Sequence, residues 1–288
     1  MNMKTTISIL LILAAVASCS PSQGDKSSVY LLDTLKAVVR TDTGVFIKFT
    51  YMYDGLESTE ELRKARGEGE TEPFLRYAYG YDTLGNKILT ITSAYNQTKK
   101  DFVHVSKEEQ IFDEYHNPVQ STLFTEKRGL WYPDKRFGRT FDGRGNVTSL
   151  ETYDPAGGDE WVIKTKTYFQ YDNSRNITEK TDFRADEKGE WHPVEKIQRE
   201  YSKSKVTMEI ICAPTRDNQW VEKSKAEYEY NAGQQCSASV SFVKRGSKWV
   251  NSVRSEYTYD ATGNMLECNT YFWNENSARW VFHDKEEY

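Results

Sequence analysis

The chain of 288 residues predicts an all-β fold: an antiparallel meander of about seven to eight hairpin repeats of ~30 residues each, laid out as an elongated single sheet or a spiral shell. Three observations lead there. The residue that follows the second aromatic of each copy falls at Asp82, Asp113, Asp142, Asp172, Ser202, Asn231 and Asp260, in steps of 31, 29, 30, 30, 29 and 29. A second marker keeps the same beat at Phe102, Trp131, Trp161, Trp191, Trp220, Trp249 and Trp280. Between the markers the residues alternate with period two, which is strand periodicity. In the arm from Trp220, alternate positions read Trp220, Ser224, Ala226, Tyr228 and Tyr230 to one side, and Val221, Lys223, Lys225, Glu227 and Glu229 to the other. The tryptophan and tyrosine rows are therefore expected on one aromatic face, with a wet face opposite.

Taken in order along the chain, residues 1–18 read as a secretory signal, with a basic start at Lys4, an apolar run from Ile7 to Val16 and small residues before Cys19. The run is shorter than the ~20 residues of a membrane span. Val16, Ala17, Ser18 and Cys19 resemble a bacterial lipobox, which implies a lipid on Cys19 and attachment to a membrane through acyl chains rather than by spanning it. The expected location is the cell envelope, and Ser20 favours the outer membrane over the inner. Residues 19–28 are polar and read as a flexible tether. Residues 29–288 form the repeat domain, which begins with a divergent copy at Tyr51 to Gly55 and a charged insertion over 55–74. Within that insertion Ser58 to Arg66, "STEELRKAR", is the one helix candidate, capped by serine.

Each later copy contains a turn phrase, seen in full as "YGYDTLGN" at Tyr79 to Asn86 and "YTYDATGN" at Tyr257 to Asn264. Asp82, Asp142 and Asp260 occupy the first turn position, where a carboxylate can accept backbone N–H groups two residues on. Gly85, Gly145 and Gly263 follow at the fourth, where a positive φ is needed. Asn86, Asn146 and Asn264 complete the phrase. The turn explanation accounts for these aspartates before any catalytic or calcium role, since each hairpin offers one Asp and one Asn while calcium needs six to eight converging oxygens. The opposite ends of the hairpins, such as "DEKGEW" and "NENSARW", vary in length and read as looser loops.

Composition narrows the function. Mean hydropathy is -0.75, yet the chain holds 19 Tyr, 13 Phe and 7 Trp, a mixture foreign to disordered chains. A net charge of -5 with interspersed Lys and Glu gives no field for nucleic acid. Cys212, Cys236 and Cys268 match no metal or haem spacing and allow at most one bridge among three. His104, His116, His192 and His283 fall at unrelated offsets, and no nucleophile elbow, HExxH or phosphate loop occurs. No cofactor and no metal are expected. An outer-membrane barrel is disfavoured because charges stand on both sides of the strands, with Lys223 and Lys225 on one and Glu222 on the other.

The phrase Tyr-x-Tyr-Asp-x-x-Gly-Asn resembles the YD repeat of bacterial Rhs-type shells, whose hairpins coil into a casing. A lipobox followed by tryptophan-bearing hairpins of this kind is similar to secreted Bacteroidota lipoproteins of unknown function, over Tyr51 to Tyr288. That resemblance implies an envelope protein and no particular activity. The functional reading is then a non-enzymatic, lipid-anchored repeat protein whose candidate binding surface is Trp131, Trp161, Trp191, Trp220, Trp249 and Trp280, offered to a glycan or an envelope protein. The alternatives are a purely structural or adhesive scaffold, in which the tryptophans form a buried ladder, and a hydrolase with its site in the 55–74 insertion.

Overall fold

The structure is a computed structural model that describes the backbone at residues 10–12, 34–41, 44–53, 57–66 and 70–288, and side chains at 58–64 and 71–288. The expected signal, the lipidated Cys19 and the tether therefore lie outside the described residues, apart from the backbone of Leu10–Ile12.

All described secondary structure is strand. In chain order the strands are β1 (Leu10–Ile12), β2 (Thr34–Thr41), β3 (Gly44–Tyr53), β4 (Glu57–Arg66), β5 (Glu70–Tyr81), β6 (Lys87–Asn96), β7 (Asp101–Phe112), β8 (Pro118–Lys127), β9 (Leu130–Phe141), β10 (Val147–Gly157), β11 (Glu160–Tyr171), β12 (Ile177–Ala185), β13 (Trp191–Ser202), β14 (Lys205–Pro214), β15 (Trp220–Tyr230), β16 (Cys236–Arg245), β17 (Lys248–Tyr259), β18 (Met265–Asn274) and β19 (Arg279–Glu287). Successive strands pair antiparallel from β2 to β9 and from β11 to β19, as expected of a meander. The chain divides into two compact units, Met1–Gly138 with Asp154–Val162, and Arg139–Tyr153 with Ile163–Tyr288.

The expected helix over Ser58 to Arg66 is instead strand β4, paired on one edge with β3 and on the other with β5. Its helical propensity and serine cap are overridden by two full ladders of backbone hydrogen bonds, a tertiary gain that a local reading does not contain.

Among the described residues neither unit shows an apolar core of the usual kind. In the first, the buried residues are Ser58, Ser93, Ser121 and Thr122; in the second, Thr181, Cys212 and Ala238. These are all small side chains within strands. Stability must then come from cross-strand side-chain pairs, each contributing ~0.2–1 kcal/mol, summed over many strands.

A repeated bulge shapes both faces. Where β5, β7, β9, β13, β15, β17 and β19 meet their predecessors, one residue is skipped in the register: Phe74, Val105, Asp134, Val194, Lys223, Ser252 and His283. Six of these stand three residues after the aromatic marker. An extra residue reverses the alternation of everything on its far side. The expectation of a single aromatic face is thereby corrected. Trp220 and Glu222 share a face with Lys225, Glu227 and Glu229, whereas Ser224, Ala226, Tyr228 and Tyr230 stand on the other. Trp249 is likewise separated from Val253, Tyr257 and Tyr259 by the bulge at Ser252.

The turn phrase closes its hairpin through the aspartate and the asparagine. In the hairpin of β5 and β6, Asp82 Oδ1 accepts the N–H groups of Leu84 and Asn86, both at 2.9 Å, while Oδ2 accepts Asn86 Nδ2 at 2.8 Å. Gly85, Gly145 and Gly263 have φ of 83°, 78° and 92°. The same left-handed position is held by His116, Arg175 and Gln234 in three other copies, at φ of 64°, 65° and 63°. The fifth copy, which lacks both Asp and Asn, closes with the pair Lys203 and Ser204, both at positive φ, as a two-residue hairpin requires. One supposedly loose loop end turns out to be written in the same way: Asp186 Oδ1 takes the N–H groups of Lys188 and Glu190, with Gly189 at φ 83°.

Candidate binding face: the tryptophan row and its basic partners

Trp131 and Trp161 in the first unit, and Trp191, Trp220, Trp249 and Trp280 in the second, are all half-buried. None is sealed in a core, and none stands free. Trp280 meets Trp273 edge-on, with ring centres 5.1 Å apart; what covers the other five is a basic side chain from the preceding hairpin. Arg76 lies 3.9 Å from the centre of the Phe102 ring, and Arg136 lies 4.3 Å from that of Trp161. Lys107, Lys166, Lys196 and Lys225 place their ammonium groups 5.6, 4.9, 5.5 and 5.8 Å from Trp131, Trp191, Trp220 and Trp249. Each such contact contributes ~0.5–1 kcal/mol at an exposed site.

The sequence reading missed these partners, although the signal was present. Arg76, Lys107, Arg136, Lys166, Lys196, Lys225 and Arg254 each stand six residues before the turn position, so they repeat in the same steps as the aspartates. A count of basic residues on the thirty-residue beat finds them. Carboxylates balance the row on the same face: Glu109 pairs with Lys107 at 2.6 Å, Glu227 with Lys225 at 2.6 Å and Glu256 with Arg254 at 2.9 Å. Such solvent-washed pairs add little stability each. Their effect is to keep a face of aromatic rings, ammonium groups and carboxylates in fixed mutual positions.

On the opposite face, the second tyrosine of the phrase serves as a peg. Tyr171, Tyr201, Tyr230 and Tyr259 donate their hydroxyls to the backbone carbonyls of Val147, Ile177, Val206 and Cys236, at 2.7, 2.8, 2.8 and 2.8 Å. Each acceptor lies at the start of the strand that follows the preceding turn, so consecutive hairpins are fastened near their turn ends. Burial pushes the hydroxyl pKa of Tyr171, Tyr230 and Tyr259 up, which keeps the donor protonated.

The turn aspartates are held as carboxylates. Hydrogen bonds from the asparagine side chain, then from backbone N–H groups, hold Asp82, Asp113, Asp142 and Asp172 below the ordinary 3.8, and Asp260 is lowered further by Asn264 and Thr262. Both oxygens of each are occupied within their own turn, so they converge on nothing else. Among the described residues no group of three or more His, Cys, Asp or Glu is set to hold a metal ion. In the 55–74 segment, Glu60 and Glu61 are sequence neighbours on opposite faces of β4; Glu60 accepts the Tyr79 hydroxyl at 3.0 Å, and Glu61 meets Arg63 at 2.8 Å and Arg76 at 3.2 Å.

The possible bridge among the three cysteines is absent, and all are free thiols. Cys212 shares the tryptophan face with Glu222, while Cys236 and Cys268 stand on the tyrosine face beside Tyr230 and Tyr257. The latter two are separated by a whole strand, about 9.6 Å at normal strand spacing, beyond the reach of a disulfide.

No family model matches the chain. No curated protein matches it. Among solved structures, a DUF3836 family protein from Bacteroides vulgatus is similar at 20% identity, with 30% of this chain and 88% of that one covered and a TM-score of 0.28. A porin-like protein from Bacteroides uniformis matches at 10% identity over 80% of this chain and 94% of its own, with a TM-score of 0.33. The Tc holotoxin pore of Photorhabdus luminescens matches at 12% identity over 89% of this chain and 17% of its own, with a TM-score of 0.27.

Proposed function

We propose that this is a non-enzymatic repeat protein, anchored through lipid on Cys19 in the cell envelope, on the outer membrane, that presents its tryptophan-bearing face to a glycan or an envelope protein. The observation that supports it is the half-exposure of the six tryptophans of the row, five of them beside a cation. Aromatic rings with fixed polar neighbours stack on sugar rings and serve as anchors at protein interfaces. The scaffold reading is favoured by a different observation, that a basic side chain of the preceding hairpin already lies over most of these rings.

Two experiments test the proposal. Labelled palmitate should enter the wild-type protein and not Cys19→Ser; equal labelling of both removes the anchor. The full chain in a zwitterionic detergent should change its tryptophan emission on titration with host or bacterial glycans, or with purified envelope proteins. Unchanged emission throughout returns the face to a purely structural role.

A further inference from the structure

The repeat is not equally suited to binding at every copy. At the loop end of β6 to β9, in the first unit, a hollow of ≈ 450 Å³ opens between Phe102 and Trp131, with Lys99, Asp101, His104 and Glu126 around it. That volume falls within the range of small-molecule sites, ~300–1,000 Å³. The polar groups are each tied by one atom. Asp101 Oδ1 accepts the Phe102 N–H at 2.7 Å, Glu126 Oε1 accepts the Gly129 N–H, and His104 Nδ1 is joined to Ser93 Oγ at 2.9 Å. The fixed atoms hold the side chains in place and leave Asp101 Oδ2, Glu126 Oε2 and His104 Nε2 for another partner. His104 also stacks on Trp131, with ring centres 5.8 Å apart.

We propose that this hollow is a saccharide subsite for one neutral pyranose unit, stacked on Trp131 and Phe102 with its hydroxyls donating to Asp101 Oδ2 and Glu126 Oε2. It rests on the reading of the tryptophan face as a binding surface and assigns the ligand class at one place on it. A sugar ring has an apolar C–H face for the aromatics and hydroxyl donors at its rim, which two fixed carboxylates are built to accept. Two carboxylates, Asp101 and Glu126, stand against the one ammonium of Lys99, so the hollow gives a uronic or sialic acid no net attraction. The sequence marks this copy out. Two residues after the aromatic marker stands His104, where the other copies have Pro133, Ile163, Pro193, Glu222, Asn251 and Phe282.

The test uses the full chain in a zwitterionic detergent, with maltohexaose, cellohexaose and mannohexaose as neutral probes and a galacturonic acid hexamer as the acidic one, read by saturation-transfer NMR and calorimetry. At least one neutral probe should bind and the acidic one should not. Asp101→Asn and Glu126→Gln, which preserve shape and remove the charged acceptor, should each weaken binding about tenfold, the scale of one lost hydrogen bond to a charged group. Lys223→Ala, at an exposed position in the other unit, should change it less than about twofold, as a site remote from the hollow would. Neutral binding that survives Asp101→Asn and Glu126→Gln places the sugar elsewhere on the face and overturns the subsite alone. Binding of the acidic probe in preference to the neutral ones overturns the assigned chemistry. Binding of no saccharide overturns the subsite and leaves the face to a protein partner.

Discussion

Deleting Lys223 probes the bulge that separates the two aromatic rows. Without the extra residue, β15 can pair with β14 only if its first three residues turn over, which takes Trp220 and Glu222 off the face they now share with Lys225. Trp220 then loses its edge-to-face contact with Phe183 at 6.4 Å and the ammonium of Lys196 at 5.5 Å, and Glu222 loses Lys244 at 2.5 Å. An aromatic pair, an exposed cation–π contact and an exposed ion pair together come to ~1–3.5 kcal/mol. Lys223 itself is exposed, so Lys223→Ala should stay within about 0.5 kcal/mol of wild type. Urea unfolding followed by tryptophan emission measures the difference. At a slope of ~3 kcal/mol/M, the deletion should lower the midpoint by roughly 0.3–1.2 M while the alanine variant hardly moves it. If deletion and Lys223→Ala are equivalent, the bulge does not set the placement of Trp220, and the division into two faces fails with it.

Other outcomes follow from the same geometry. Tyr230→Phe removes one hydroxyl peg on the Val206 carbonyl and should cost about 1 kcal/mol, and the combined Tyr171, Tyr201, Tyr230 and Tyr259 variant should cost roughly 4 kcal/mol by urea unfolding, since the pegs lie in separate hairpins. Arg175→Gly should stabilise by about 0.5–1 kcal/mol in thermal unfolding, because a left-handed φ of 65° costs arginine more than glycine. Acid should destabilise the fold. The turn aspartates have their pKa lowered from 3.8 by folding, so their contribution is present above that value and is lost as pH falls from it through the lower folded values; the midpoint in urea should begin to drop below about pH 5 and go on dropping below pH 3, and less so in Asp142→Asn.

The hairpin period, the strand alternation and the aspartate turns were legible because each is local: a turn of five residues fixes its own hydrogen bonds, as Asp82 and Asn86 do. The face of each tryptophan was not legible, because it depends on a bulge defined against the partner strand. Nothing in the residue at that place announces it, since Phe74, Asp134, Lys223 and Ser252 have no chemistry in common. Ser58 to Arg66 misled for a related reason, its local helix signals being weaker than pairing on both edges. The basic row was written plainly, on the same beat as the aspartates, and became visible as a feature only once Lys166 and Lys196 were seen over Trp191 and Trp220. For the hollow at Phe102 and Trp131 the sequence held one sign, His104 where other copies have no histidine.

The most direct measurement on the tryptophan face is residue-resolved hydroxyl-radical footprinting by mass spectrometry, on the full chain with and without a saturating glycan. Trp131, Trp161, Trp191, Trp220, Trp249 and Trp280 should oxidise at similar rates, slower than a free indole and faster than a core tryptophan, and the glycan should protect a contiguous subset that includes Trp131. Uniform resistance to oxidation without ligand would show the row to be interior, and the reading of this face as a binding surface would be wrong.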